Sequence, residues 1–163
     1  MARNWKKLLS EVLLTFSAGL LIYTVFGLGL ACFTTVIESD MPRGEFSFDK
    51  VVTFYVENRA TIDLPLLNPS YSVDVRLVNA TRTMCTLWVI NGWVPWNETP
   101  GVYLPGIKAG ESNRVLASIT PGRENFTIEV RAYYRFWILP VWVSTRSYRC
   151  TYVPPFHYEI TED

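Results

Sequence analysis

The chain has 163 residues, 49% hydrophobic and 15% aromatic, with 15 Lys plus Arg balanced by 15 Asp plus Glu. Once an anchor is set aside, that length supports one domain with a real core and not two of ordinary size. A neutral balance without a long single-sign block excludes nucleic acid as an expected partner, because neutralising phosphates takes a concentrated cationic face.

From Val12 to Ile37 no residue is charged, while Arg3, Lys6 and Lys7 precede the run and Glu38 and Asp40 follow it. A helix over 12–37 is about 39 Å long, enough to cross a hydrocarbon core of about 30 Å with some tilt. We therefore expect a short N-terminus at 1–11, a transmembrane signal-anchor at 12–37 with the lipid bilayer as partner, a linker at 38–45, a domain at 46–153 and a tail at 154–163. All three flanking cations lie on the N-terminal side, which predicts a cytoplasmic N-terminus and an extracellular domain at the cell membrane. Two other fates stay open: cleavage as an ordinary signal, or processing at Gly29-Leu30-Ala31-Cys32 as a lipoprotein. Thr15-x-x-x-Gly19 and Gly27-x-x-x-Ala31 place small residues one turn apart, where a second helix can approach.

After Met41-Pro42-Arg43-Gly44 the pattern turns to alternation. Val52, Phe54 and Val56 alternate with polar or exposed partners, and so do Tyr71, Val73, Val75 and Leu77, each a period-2 strand with one buried face. Thr86–Ile90 is a third run, closed by the turn dipeptide Asn91-Gly92. Between Trp93 and Gly110 prolines and glycines predict a long loop with one short strand at Val102–Leu104. Val115, Ala117 and Ile119 restart the alternation, Pro121-Gly122 turns it, and Phe126 to Tyr134 carries it on. Leu139–Tyr148 follows, with Pro140 marking an edge or a bulge, and Arg149–Tyr152 forms a last short strand. About seven short strands with this punctuation predict a mainly β protein: one transmembrane helix followed by an antiparallel, immunoglobulin-like β-sandwich.

Phe54-Tyr55-Val56-Glu57-Asn58, then Ile62-Asp63-Leu64-Pro65 and Tyr71-Ser72-Val73, resemble the opening of the late-embryogenesis-abundant group 2 (water-stress and hypersensitive-response) domain. Ile107-Lys108-Ala109-Gly110-Glu111-Ser112 is similar to that family's central turn, and Ile128 to Ser147 to its closing hairpin. The resemblance covers most of residues 46–152. It implies a small β-sandwich, often membrane-anchored, with a binding or protective role and no established catalytic site.

Cys85 and Cys150 are the two cysteines beyond the apolar run. Outside the cytosol they can form one disulfide closing a loop of about 65 residues; the alternative is a pair of buried thiols. Sequons at Asn79, Asn97 and Asn125 are candidate glycosylation sites. The single histidine, His157, stands behind two prolines near the C-terminus. That placement, with no close metal-ligand spacing and no glycine-rich phosphate loop, predicts no catalytic, cofactor or metal site. Trp88, Phe54 and Tyr134 are expected in the core. Trp93 and Trp96 in the long loop, and the cations Arg131, Arg135, Arg146 and Arg149 on paired strands, are the candidate interaction surface. The expected function is therefore display of a non-catalytic β-sandwich for binding or interaction at the cell surface, with a possible protein partner or self-association. The alternatives are a structural subunit of an envelope layer, surface filament, virion membrane or membrane complex, and an accessory subunit of a membrane enzyme.

Overall fold

The structure, a computed structural model, describes residues 2–62, 70–89, 101–104, 107–136, 139–155 and 157–163. Helix α1 (Ala2–Thr34) leads into β1 (Thr35–Ser39), β2 (Gly44–Phe46), β3 (Val52–Asn58), β4 (Ser70–Val78) and β5 (Met84–Val89). There follow β6 (Gly101–Leu104), β7 (Ser112–Thr120), β8 (Phe126–Phe136), β9 (Leu139–Val153) and β10 (His157–Glu162). They form two sheets, one of four strands in the order β1-β3-β7-β5 and one of six in the order β2-β10-β9-β8-β4-β6, with every pairing antiparallel.

Alternation places the core. Val52, Phe54 and Val56 on β3 and Val115, Ala117 and Ile119 on β7 are buried from one sheet. They meet Tyr71, Val73 and Val75 on β4 and Phe126, Ile128, Val130 and Ala132 on β8 from the other. Each such aliphatic or aromatic side chain taken out of water stabilises the fold by about 1.5–3 kcal/mol.

Ten strands are described where about seven were expected, and the additional ones occupy segments assigned to the anchor, linker or tail. The helix stops at Thr34 instead of continuing to Ile37, and 35–39 become β1. Thr34, Thr35, Val36 and Ile37 are four consecutive β-branched residues, stiff at χ1 and better suited to a pleated strand than to another helical turn. Within the expected linker, Gly44 and Glu45 begin β2 against β10. Within the expected tail, Tyr158 and Ile160 turn inward from β10, after a turn containing a cis bond between Pro154 and Pro155. The two expected strands Leu139–Tyr148 and Arg149–Tyr152 are one, β9, with a register shift opposite Ala132/Tyr133.

Register defines two poles. At the near pole, where α1 enters, lie Thr35 and Asn58, the start of β4 at Ser70, the start of β7 at Ser112, and the β8–β9 hairpin where Phe136 pairs with Leu139. At the far pole lie the end of β4 at Val78, the start of β5 at Met84 opposite Thr120, and the turn joining β9 to β10.

Candidate functional site: the helix junction and the surface residues

The sequence of α1 divides into two stretches with different surroundings. Residues 4–22 are all exposed, while Tyr23, Thr24, Gly27, Leu28 and Ala31 are partly or fully buried against the sandwich. The helix lies against β9 and β3. Gly27 and Ala31, whose spacing suits the approach of another helix, are buried against this chain's own sandwich, whereas Thr15 and Gly19 remain exposed.

Four side chains and a backbone bond fasten the helix end. The Thr34 carbonyl, which has no partner in the helix, accepts the Arg59 N–H at 2.8 Å. Buried Asn58 accepts the Ala60 N–H at 3.1 Å and donates through Nδ2 to the Ile107 carbonyl at 3.0 Å, while the Thr34 hydroxyl reaches its Oδ1 at 3.4 Å. The Thr35 hydroxyl donates to the Tyr71 hydroxyl at 3.2 Å, and burial pushes the Tyr71 phenol pKa up. Helix and sandwich are thus joined without an intervening linker. Apart from Ala60, the partners of Asn58 and Thr35 lie far away in the chain and carry no local signal, so these residues could not be singled out from the sequence.

The far pole is held by hydrogen bonds to one carboxylate. Glu124 accepts from the Thr81 hydroxyl at 2.6 Å, the Arg82 N–H at 2.7 Å, the Thr83 N–H at 2.8 Å and the Thr83 hydroxyl at 2.9 Å. These donors hold its pKa down at about 2. Gly122 fits beside this turn because a Cβ there would meet the Arg82 Cβ at 2.4 Å. Asn79, at φ +61°, and Asn125 are both exposed at this pole, and Asn125 accepts the Tyr152 N–H at 2.8 Å. Asn97, Trp93 and Trp96 lie outside the described residues.

The cations expected to gather do not form one patch. Arg131 and Arg149 alternate with the buried residues of β8 and β9, whereas Arg146 shares the parity of buried Tyr148 and Cys150. Arg146 reaches Glu162 at 2.7 Å and the Ile37 carbonyl at 3.2 Å, in a cleft of about 280 Å³ that Arg43 also lines. Arg131 pairs with Glu129 at 2.7 Å and lies 5.8 Å over the Trp142 ring, and Arg149 pairs with Asp163 at 2.9 Å. Each of these three charges is answered by its own carboxylate. Arg135 sits in register with Ser70 and Pro140, and its side chain lies outside the described residues.

The expected disulfide is absent: Cys85 and Cys150 are free thiols. Cys85 stands on β5 opposite Ile119 in the four-stranded sheet, and Cys150 on β9 between Phe126 and Ile160 in the six-stranded one. Burial pushes their pKa values up to about 11 and about 12, which keeps both protonated and poor nucleophiles at neutral pH. Among the described residues no three His, Cys, Asp or Glu side chains are grouped to hold a metal ion. Phe54 and Tyr134 are buried as expected, but Trp88 is 45% exposed, because Leu87 is the residue that β5 turns inward.

No protein-family model matches the chain, and no curated protein matches it in sequence. The family resemblance carried by residues 46–152 therefore brings no family assignment. Among solved structures, the collagen-binding domain from a Staphylococcus aureus adhesin is similar at 8% identity, covering 71% of this chain and 95% of that one with a TM-score of 0.35. That likeness is too remote to bring over any property of the adhesin.

Proposed function

We propose that the chain is a single-pass membrane protein that holds a non-catalytic β-sandwich against the outer face of the membrane for binding or interaction. The observation that carries this reading is the helix. It has the length and hydropathy to cross a bilayer from Asn4 to Thr34, its residues 4–22 are exposed, and its last turns are fastened to the sandwich. The uncharged part of the helix, residues 12–34, rises about 34 Å, enough to cross a hydrocarbon core of about 30 Å. The cations Arg3, Lys6 and Lys7 before the span support a cytoplasmic N-terminus. With that orientation, Asn79 and Asn125 stand exposed at the pole away from the helix, a placement that suits glycan attachment.

Protease added to intact cells is expected to digest the chain beyond residue 40 and spare the N-terminus; protection of the C-terminal domain overturns the orientation. Glycosidase treatment is expected to raise the mobility of protein from a glycosylating host, and Asn79→Gln, Asn97→Gln and Asn125→Gln together to remove that shift. A second reading, as a subunit of a larger envelope or membrane assembly, is favoured by residues 139–146 of β9, which pair with β8 on one side and with no described strand on the other. Mass determination in mild detergent separates the two, since a lone monomer counts against assembly.

A further inference from the structure

We propose that the outward face of the four-stranded sheet is the contact surface for a second copy of this chain, anchored in the same bilayer. This rests on the reading of α1 as a membrane span and deepens it by naming the partner. The residues that alternate with the buried ones of that sheet stand in rows set by the register. Glu38, Tyr55 and Arg114 form one row, and Thr53, Leu116 and Trp88 the next toward the far pole. Ser118 with Thr86, then Thr120 with Met84, continue the series.

The outward face of the six-stranded sheet is of another kind. There Arg76 pairs with Asp74 at 2.7 Å, Arg131 with Glu129 at 2.7 Å and Arg149 with Asp163 at 2.9 Å, so the charges are answered within the chain. On the four-stranded sheet Trp88 and Met84 are exposed, and Tyr55 and Leu116 are half-buried. Exposed Arg114 has no carboxylate partner among the described residues. Trp, Tyr and Arg are the side chains that most often anchor protein contacts.

Symmetry and charge make the occupant a second copy. Two copies threaded through one bilayer in the same sense are related by a two-fold axis along the membrane normal. The strands run between the pole at the helix and the pole away from it, so that axis lies along the strands. Placed between β3 and β7, it brings the two faces together with their strands aligned, keeps each row at its own height and exchanges left for right. The half made by β1 and β3 then meets the half made by β7 and β5 of the other copy, twice over. The first half carries Glu38, Asp40 and Glu57 against one cation, Arg59, which binds Glu38 and Glu57. The second carries Arg114, which comes over Tyr55 and toward the excess carboxylates of the other copy, while Leu116 comes over Thr53.

The size of the face sets the strength of the contact. Four strands about 4.8 Å apart, each about seven residues long, give on the order of 400 Å². A standard interface takes roughly 800 Å² from each partner. The contact is therefore weak between free molecules, and sharing a bilayer raises the effective concentration at which the copies meet.

The test is energy transfer between full-length chains in phosphatidylcholine vesicles at increasing lipid dilution. In a Cys32→Ala, Cys85→Ala background, donor or acceptor is attached through Ser47→Cys, an exposed position between β2 and β3, and the failure of buried Cys150 to react reports that each variant is folded. Transfer is expected in this parent. Trp88→Ser and Arg114→Glu are each expected to lower the lipid dilution at which transfer is half lost by about tenfold. Adding Glu38→Arg to Arg114→Glu exchanges the charges across the axis and is expected to return most of the loss, whereas Thr151→Arg on the outward face of the six-stranded sheet is expected to change nothing. Transfer that survives both Trp88→Ser and Arg114→Glu overturns the sheet contact and assigns pairing to the helices, where Thr15 and Gly19 are exposed. An equal loss with Thr151→Arg, or no recovery on charge exchange, overturns the proposed surface. No transfer in the parent, with the chain still floating with the vesicles after an alkaline wash, overturns the pairing and leaves the anchor standing. Release of the chain by that wash overturns the anchor reading together with the pairing.

Discussion

The two poles of the sandwich are stabilised by different physics. At the near pole a helix passes into a strand through buried groups: Tyr71 is 1% exposed against Tyr134, and Asn58 distributes its side-chain hydrogen bonds among three partners. At the far pole a half-buried carboxylate, Glu124, gathers donors from the β4–β5 connection and ties it to the β7–β8 turn. The near pole must transmit the orientation of α1 to the sandwich, which requires packing. The far pole must close two turns in water, and there hydrogen bonds to charge suffice.

The sharpest way to break the contrast is to empty the near pole. Tyr71→Ala removes a buried ring from between Thr35 and Tyr134 and is expected to cost about 3–5 kcal/mol in denaturant unfolding of the detergent-solubilised chain. Asn58→Ala leaves the Ile107 carbonyl and the Ala60 N–H without their partner, and is expected to cost about 1–3 kcal/mol and to raise hydrogen exchange at Thr35 and Arg59 selectively. If exchange rises equally at Thr83 and Gly122, the poles are not separable units. At the far pole Gly122→Ala drives a Cβ into the Arg82 backbone and side chain, an overpacking cost of about 1–3 kcal/mol confined to that end.

Glu124→Gln tests the charge itself. The folded pKa, about 2, lies below the ordinary value near 4.5, so the stabilisation is fully present above about 4.5 and is lost as pH falls through about 2. The variant should melt below the parent at pH 7, and the gap should close across that window. A gap independent of pH would assign the effect to shape and not to charge. The smallest effect is expected from reductant: with Cys85 and Cys150 both free, melting curves with and without dithiothreitol should coincide. A reductant-dependent drop in Tm would restore the disulfide.

Much of the sandwich was legible where one face of a strand is wet. Phe54, Val73, Ala117 and Val130 lie in runs whose alternation leaves one choice of inward face, and all four are buried. Where alternation was weak or masked, the reading went astray. Thr35–Ile37 continue an apolar run without a break and read as helix, with Glu38 and Ser39 as linker, and His157–Glu162 stands behind two prolines and reads as tail. In Thr86-Leu87-Trp88-Val89 either parity is apolar, and neighbouring β7, not local sequence, turned Leu87 inward.

By itself the sequence determined a charge-free span, a neutral domain, a β architecture and most inward-facing residues, because hydropathy and period are local properties that every residue states for itself. Only the tertiary structure decided that Cys85 and Cys150 stay apart, that each described cation of the supposed patch meets its own carboxylate, and that the helix is fastened through Asn58 and Tyr71 without a linker. These depend on which distant strands become neighbours. Pairing is chosen by the free energy of the whole sandwich, and no window of sequence contains that sum.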